Sequence, residues 1–326
     1  MKDHISFDSA FGTRFSVSVD TEEEFDWAGK LSRYDHGARS TYALAKGQSY
    51  FKANGVVPIY YVDQPIVDDA TAVHILGTAA ADGEANIGIH LHPWVTPPFV
   101  ERVNRHNSYV GNLAPEIERA KIETMRNQII ERLGVTPISY RAGRYGIGPN
   151  SYEILAQAGI VMDSSVRPLF DYSNDGGPDF SRSSQQPYWT DKTRQMIEVP
   201  LTAHFLGWGG PLMPALFRAV RGSATLRAIA ARTGVVSRIP LTPEGTPPAL
   251  ACAMIDIGLA HGVRLFSMSF HSPSLAAGFT PYVKDDADLA AFYHWFDVVF
   301  AHFARRGVAH ASLDEIVQAA RDVGAA

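Results

Sequence analysis

The feature that most constrains the fold of this chain is a repeated order of strand, loop and helix. Residues 15–19 alternate in polarity and are rich in valine, which predicts a buried strand. Residues 115–133 predict a helix, because Pro115 suits the first turn and Gly134 suits the C-terminal stop. Further strands are predicted at 56–62, 86–91, 138–141, 160–164, 197–200 and 265–270, further helices at 42–53, 70–81, 151–158, 214–233 and 286–306, and a last short strand and helix within 309–317. This alternation predicts an α/β architecture around a parallel sheet.

Length and charge narrow the class of protein. A chain of 326 residues fits one α/β barrel domain, with irregular insertions at about 97–114, 168–192 and 207–248. A net charge of −5 without a basic stripe argues against a nucleic-acid partner. No apolar run is long enough for a transmembrane segment, and residues 1–10 lack a secretory signal, so we expect a cytoplasmic protein. Nothing in the pattern indicates an oligomeric state.

Two acidic residues follow the strand predicted at 15–19. Asp20 and Glu22 are two positions apart, so an extended backbone directs both side chains to one face. Neighbouring carboxylates repel unless a cation or a proton lies between them. One of them could therefore bind a metal while the other acts as a base. The alternative is an ordinary acidic loop, since Glu23 and Glu24 come next.

Two histidines follow a second strand with the same spacing. His90 and His92 share a face at the end of the strand predicted at 86–91 and could offer two nitrogen ligands. With one carboxylate they form a two-histidine, one-carboxylate set that leaves positions open for water and substrate. Zinc is the default divalent metal for such a set, and iron or cobalt also fit.

Two further strand ends carry ionisable residues. His271 follows the strand at 265–270 and could protonate a leaving amine; the alternative is a hydrogen-bonded structural histidine. Arg141 ends the strand at 138–141 and could pair with Asp20, lowering the pKa of that carboxyl group; the alternative is a turn with surface arginines. Active sites of parallel α/β barrels lie where the carboxyl ends of the strands converge.

The order of these motifs resembles a known family. The motifs are D-x-E at 20–22, H-x-H at 90–92, R-A-G-R-Y-G at 141–146 and S-F-H-S-P at 269–273. Together they resemble the NodB-homology polysaccharide deacetylases, carbohydrate esterase family four, and within it the WalW-like deacetylases. The resemblance implies a distorted (β/α)7 barrel and a metal-dependent hydrolase that removes an acetyl group from the nitrogen of a sugar or polysaccharide.

The resemblance also implies roles for individual residues. Asp20 takes the place of the general base, His271 that of the catalytic acid, and Arg141 that of the arginine that orients the base. Glu22 and His90 take the places of metal ligands. Tyr145 lies near the tyrosine whose backbone stabilises the oxyanion, and we expect it and Arg144 to contact substrate.

The chain departs from the family pattern at three motifs. The third motif, at 141–146, is one residue longer than usual, so the register of Tyr145 stays open. The family spaces its two histidines four apart, and that place is occupied here by Trp94. We therefore assign His92 as the substitute ligand and expect Trp94 to contact substrate, with Trp27 and Trp208 as further candidates for stacking on a sugar. The family's Asp-Trp motif is not evident, which leaves the partner of His271 unassigned.

These patterns predict a deacetylase-like hydrolase acting on an N-acylated sugar or glycan. Two other functions stay open at this point. The same scaffold could hydrolyse another non-peptide C–N bond, as allantoinase-like and deformylase-like relatives do, or the barrel could be an inactive sugar-binding module.

Overall fold

A curved sheet of parallel strands forms the centre of the molecule in the computed structural model, which describes residues 2–26 and 29–324. The strands are β1 (Asp3–His4), β2 (Arg14–Thr21), β3 (Ile59–Val62), β4 (Asn86–Leu91), β5 (Ser139–Ala142), β6 (Met162–Asp163), β7 (Tyr188–Trp189), β8 (Ile197–Glu198), β9 (Ala203–Leu206), β10 (Ser237–Pro240), β11 (Leu265–His271) and β12 (Ala309–His310). The helices are α1 (Leu44–Ala53), α2 (Gln64–Asp68), α3 (Ala70–Ala81), α4 (Pro115–Leu133), α5 (Ser151–Gln157), α6 (Met213–Val220), α7 (Ala224–Arg232), α8 (Pro248–Ala260), α9 (Asp286–Arg305) and α10 (Leu313–Gly324).

The sheet follows the order β8-β6-β5-β4-β3-β2-β11, and all neighbours in this path are parallel. Antiparallel β7 and β1 extend it beyond β8, and β12 pairs with the first residues of β2. Thr202 bridges the gap between β8 and β11: its N–H donates to the Ser267 carbonyl oxygen at 2.9 Å, and its hydroxyl accepts from the Ser267 N–H at 2.9 Å. The predicted distorted (β/α)7 barrel is confirmed.

Helices cover the sheet, so its parallel strands are buried on both faces. All four residues of β3 are buried, as expected for a parallel sheet covered by helices. α9 contributes large aromatic side chains to the core; Phe303 stacks on Phe15 of β2 with ring centroids 4.6 Å apart. None of the helices in the described part of the chain combines the length and the apolar character that crossing a bilayer requires.

The structure differs from the predicted elements mainly between β9 and β11. The single helix expected over 214–233 is two helices, α6 and α7, because the chain turns at Gly222 and Ser223 caps α7 by accepting the Leu226 N–H at 3.3 Å. This region also contains the antiparallel pair of β9 and β10, and α8, which the sequence pattern does not predict. α8 is apolar around most of its surface, so its amphipathic period is weak.

A buried lysine on α4 holds the loop that follows β4. The Lys121 ammonium group donates to the carbonyl oxygens of Pro93 at 3.0 Å, Thr96 at 2.5 Å and Pro98 at 2.8 Å, and lies 3.2 Å from a carboxylate oxygen of Glu101. Its side chain is fully buried. A buried ammonium group is tolerated only when it is paired, so Lys121 ties this loop to the helix behind it.

We expect Lys121→Met to lower the free energy of unfolding by about 3 kcal/mol, because three carbonyl groups and one carboxylate lose a buried partner. Urea denaturation followed by circular dichroism measures the change. The control is Lys52→Met, since Lys52 is mostly exposed and its ion pair with Glu84 lies at the surface. Equal stability losses in the two variants would contradict the role of Lys121.

Candidate active site

A cavity of about 830 Å³ opens at the carboxyl ends of the parallel strands. Most of the residues singled out from the sequence line it, namely Asp20, Glu22, His90, His92, Arg144, Tyr145 and His271. The strand register explains the convergence, since Asp20 on β2 is directly paired with His271 on β11, and His90 on β4 is paired with Arg141 on β5. The side chains reach one mouth because parallel strands end at the same edge of the barrel.

Three buried side chains converge at the centre of this mouth. The Glu22 Oε2 atom lies 3.3 Å from His90 Nε2 and 3.4 Å from His92 Nε2. The relative exposure of each side chain is 4% or less. The three residues form a group whose candidate ligand atoms lie within 4.8 Å of one another. The sequence predicts His92, rather than position 94, as the second histidine ligand. In the structure His92 lies with Glu22 and His90 in an arrangement that could hold a metal ion.

Hydrogen bonds on the far side of each imidazole determine which nitrogen carries the proton. His90 Nδ1 lies 3.0 Å from the Arg141 carbonyl oxygen, which can only accept, and His92 Nδ1 lies 2.8 Å from Glu23 Oε2. Burial is the largest cause that lowers the pKa of His90 to about 3 and that of His92 to about 4, so both rings are neutral near pH 7. The carbonyl partner places the proton of His90 on Nδ1, so its Nε2 lone pair faces the Glu22 carboxylate. The Nε2 lone pair of His92 does the same when Glu23 accepts the Nδ1 proton.

Three acceptor atoms facing one another require a cation or a proton between them. Burial, followed by the charges of Glu23, Asp20 and Asp63, raises the pKa of Glu22 well above its usual value. The separations of 3.3 and 3.4 Å match the ~3.4 Å expected between two ligands bound at ~2.1 Å in a tetrahedral site. Glu22, His90 and His92 therefore fit a divalent metal ion, which would stabilise the carboxylate and occupy both lone pairs.

The candidate base is held by a buried arginine. The Arg141 guanidinium, which is fully buried, donates to Asp20 Oδ1, to Ser18 Oγ at 2.8 Å and to the Ser164 carbonyl oxygen at 2.9 Å. Burial alone would raise the pKa of Asp20, but the charge of Arg141 and, after it, that of His271 lower it. Asp20 is thus ionised near neutral pH, and one of its oxygens is fixed in place.

The candidate acid has a partner that the sequence did not reveal. His271 Nδ1 lies 2.7 Å from Glu244 Oε2, and Glu244 Oε1 accepts the His271 N–H at 3.1 Å and the Ser274 hydroxyl at 2.6 Å. Burial lowers the pKa of His271, but Glu244 and then Asp20 outweigh it, so the pKa is raised. The Nε2 atom lies 3.9 Å from Asp20 Oδ2, so acid and base face each other.

Glu244 lies just after β10, in a segment interpreted from sequence as an insertion. Its sequence signal is a single glutamate in the turn Pro243-Glu244-Gly245. Most acidic residues in such turns are solvated, so the pattern did not distinguish this one. Only the approach of the segment after β10 to the end of β11 brings the carboxylate to His271.

Trp94 and Trp208 do not form the expected sugar-stacking surface. Trp94 is 2% exposed and is not among the residues that line the cavity. Its ring stacks on His92 with centroids 4.3 Å apart, and its Nε1 donates to Glu23 Oε1 at 2.9 Å. Trp94 therefore supports a candidate ligand from behind. Trp208 is exposed outside the cavity, and Trp27 lies outside the described residues.

Glu23 is a second residue that the sequence did not single out. It accepts from both the His92 ring and the Trp94 indole, and its own N–H donates to Asp63 Oδ2 at 3.0 Å. Glu23, Asp63 and His92 also have their ligand atoms close together. Because this contact uses Nδ1 of His92, it orients the ring and leaves Nε2 directed at Glu22.

The turn after β5 brings two predicted substrate-contacting residues to the cavity in left-handed backbone conformations, Arg144 with φ 54° and Tyr145 with φ 59°. The Arg144 guanidinium is already engaged, since it donates to Asp175 and Ser108 and lies 4.3 Å from the centroid of the Tyr109 ring. The Tyr145 ring is stacked against a second tyrosine of the cavity wall. Both residues shape the cavity.

Gly143 begins this turn at a point where no side chain fits. A Cβ atom at Gly143 would lie 2.1 Å from Cδ2 of the His92 ring and 2.6 Å from the Leu91 carbonyl oxygen. Even the smallest side chain must therefore displace His92 or the backbone of the turn.

We expect Gly143→Ala to weaken metal binding at least about tenfold, because a displaced His92 no longer faces Glu22. Titration of chelator-treated protein with Zn²⁺ measures the affinity, and circular dichroism checks the fold. Gly222→Ala is the matched control, since no atom lies within 4 Å of a Cβ built there. Unchanged affinity in the Gly143 variant would refute the assignment of His92 as a ligand.

Comparison with known proteins supports the fold. No family model matches the sequence, and no curated protein matches it. Among solved structures, a "putative polysaccharide deacetylase" from Mycobacterium smegmatis aligns over 98% of this chain and 94% of its own, with a TM-score of 0.54 and 16% identity. A carbohydrate esterase family four pseudoenzyme from Bacillus anthracis aligns over 94% of this chain and 66% of its own, with a TM-score of 0.48 and 6% identity. A family four acetyl xylan esterase from Clostridium thermocellum, solved with a cobalt ion, aligns over 93% and 90%, with a TM-score of 0.44 and 12% identity. The chain thus shares the distorted barrel fold of the Mycobacterium protein.

Proposed function

We propose that this protein is a metal-dependent hydrolase that removes an acyl group, in the first place acetyl, from the amide nitrogen of a sugar or polysaccharide. The observation that carries the proposal is the arrangement of three separate functional groups around one mouth. Glu22, His90 and His92 present acceptor atoms for a cation, Asp20 is kept ionised by Arg141, and His271 is kept charged by Glu244. Metal-assisted amide hydrolysis uses one group of each kind.

The residues of the chain can perform the two proton transfers of this reaction. A divalent cation held by Glu22, His90 and His92 would supply Lewis acidity, acidifying a water molecule and polarising the amide carbonyl. Asp20 accepts a proton from that water as the oxygen forms its bond to the acyl carbon. His271 then donates a proton to the nitrogen as the C–N bond breaks. The products are a carboxylic acid, which ionises, and a free amine.

The dimensions and lining of the cavity suit a glycan. A volume of about 830 Å³ lies in the upper part of the range for small-molecule sites and admits more than one sugar ring. Its lining includes the aromatic side chains of Phe25, Tyr145, Tyr172 and Tyr282. Aromatic rings of this kind pack against the apolar faces of sugars. Zinc is the metal we expect first for two imidazoles and one carboxylate, with iron and cobalt as further candidates.

The first test separates the chemical roles from metal binding. We expect Asp20→Asn and His271→Ala each to lower kcat about 100-fold or more on N-acetylated oligosaccharides while the bound metal is retained. Glu22→Ala and His90→Ala are expected to lose the metal, as measured by elemental analysis. His302→Ala serves as the control, because His302 pairs with Asp256 outside the cavity. Normal turnover in both the Asp20 and His271 variants would exclude the mechanism.

A substrate panel tests the bond that is cleaved. Release of acetate from N-acetylated sugars supports the proposal, whereas release of formate or ammonia from other C–N substrates assigns the site to a different hydrolase. Glycan binding by metal-loaded protein without release of any of these products would identify an inactive sugar-binding barrel.

The Glu244–His271 pair makes a prediction about pH. His271 must be protonated to donate, and Glu244 helps to raise the pKa of His271, so the charged form persists to higher pH. Glu244→Gln removes that charge, and we expect the alkaline limb of the kcat profile to move to lower pH. Glu84→Gln, at the protein surface, is the control. An alkaline limb that stays in place would show that His271 does not supply the proton.

A further inference from the structure

One of the three arginines in the cavity wall, Arg167, has no carboxylate partner in the described part of the chain. Arg167 lines the cavity, and its Nη1 donates to the Tyr172 hydroxyl at 3.1 Å. In the described ranges, 2–26 and 29–324, it makes no ion pair with a carboxylate. By contrast, the other two arginines of the wall, Arg105 and Arg144, both pair with Asp175.

Aromatic rings hold Arg167 in place without neutralising its charge. The guanidinium carbon lies 3.9 Å from the centroid of the Phe170 ring and 5.0 Å from that of Tyr145. Cation–π contacts of this kind orient a guanidinium group but leave its positive charge and several N–H donors available. Arg167 is therefore preorganised for a ligand that enters the cavity.

A second arginine, which does not itself line the cavity, adds positive charge beside Arg167. Arg238 also lies over Phe170, 3.4 Å from the ring centroid, and donates to the Leu169 carbonyl oxygen at 3.0 Å. Burial, and next the charge of Arg167, lower the pKa of Arg238 to about 10. Two guanidinium groups thus share one aromatic ring in a chain whose net charge is −5. The two positive charges repel each other, and a bound anion would reduce that repulsion.

The position of Arg167 connects it to the reaction centre. Tyr145, which it contacts, belongs to the turn that begins at Gly143 beside His92. The charge of Arg167 is also near enough to act on His271. A group bound by Arg167 can therefore belong to the same molecule whose amide lies at Asp20 and His271.

We propose that the substrate carries an oxyanion, a carboxylate or a phosphate, which Arg167 binds beside the acylated sugar nitrogen. This inference rests on the proposed function for the amide and adds the charge of the substrate. Guanidinium groups bind both oxyanions through paired N–H donors, which a lysine does not reproduce. The preferred substrates are thus N-acyl sugar acids or N-acyl sugar phosphates rather than neutral N-acyl sugars.

Kinetics with matched substrates test this assignment. The panel has three sugars. N-acetylglucosamine is neutral, N-acetylmuramic acid carries a carboxylate, and N-acetylglucosamine 6-phosphate carries a phosphate. We expect wild-type protein to show a KM at least about tenfold lower for one of the two anionic sugars. Arg167→Met should remove that preference through KM, leave kcat nearly unchanged and leave the neutral sugar unaffected, whereas Arg167→Lys should restore it in part.

Arg182→Met is the matched control, since Arg182 is exposed and does not line the cavity. Equal KM values for neutral and anionic sugars in the wild type would overturn the proposal without any variant. An equal loss on all three substrates in Arg167→Met would assign Arg167 a purely structural role and would likewise overturn it.

Calorimetry on chelator-treated protein separates this inference from the proposed function. Binding of either anionic sugar that is lost in Arg167→Met supports the oxyanion site even when no substrate is hydrolysed, in which case the proposed activity alone fails. Hydrolysis of the neutral sugar together with no Arg167-dependent binding of an anion supports the activity and refutes the oxyanion site.

Discussion

The buried guanidinium of Arg141 connects the parts of the site on which the proposed chemistry depends. Its side chain pairs with Asp20 and keeps that carboxylate ionised, while its carbonyl oxygen accepts from His90 and leaves the other ring nitrogen free of a proton. A charge in the barrel interior is tolerated only because Ser18 and Ser164 complete its hydrogen bonds. One residue of β5 thus orients the candidate base on β2 and a candidate metal ligand on β4.

The same principle operates at the other members of the site. Glu23 and Trp94 orient His92 from behind, and Glu244 orients His271. Each of these two imidazoles is therefore oriented by a hydrogen-bond partner at its Nδ1 atom, which leaves Nε2 for the reaction centre. Several hydrogen-bond acceptor atoms therefore lie together at the mouth and need a cation between them. The Glu244 carboxylate, by contrast, favours the charged form of the His271 imidazole. Without those partners each side chain could carry its proton at more than one position. No single protonation state would then be favoured for the reaction.

Much of the fold was predictable because strand and helix periodicities are local properties. The bounds of β4, α3 and α4 agree with the pattern, and Pro115 and Gly134 mark both ends of α4. The region between β9 and β11 was predicted poorly, because α8 is apolar on most sides and the turn at Gly222 divides a continuous basic pattern. Local periodicity is uninformative where a helix is apolar on most sides.

The sequence by itself determined which residues could carry the chemistry. The spacing of two between Asp20 and Glu22, and between His90 and His92, directs each pair to one face, and strand ends in a parallel barrel meet at one edge. Only the tertiary structure decided which nitrogen of each histidine faces the cavity, that Glu244 supports His271, and that Trp94 lies behind His92 instead of in the cavity. These features depend on contacts between segments far apart in the chain, and no local pattern encodes such contacts.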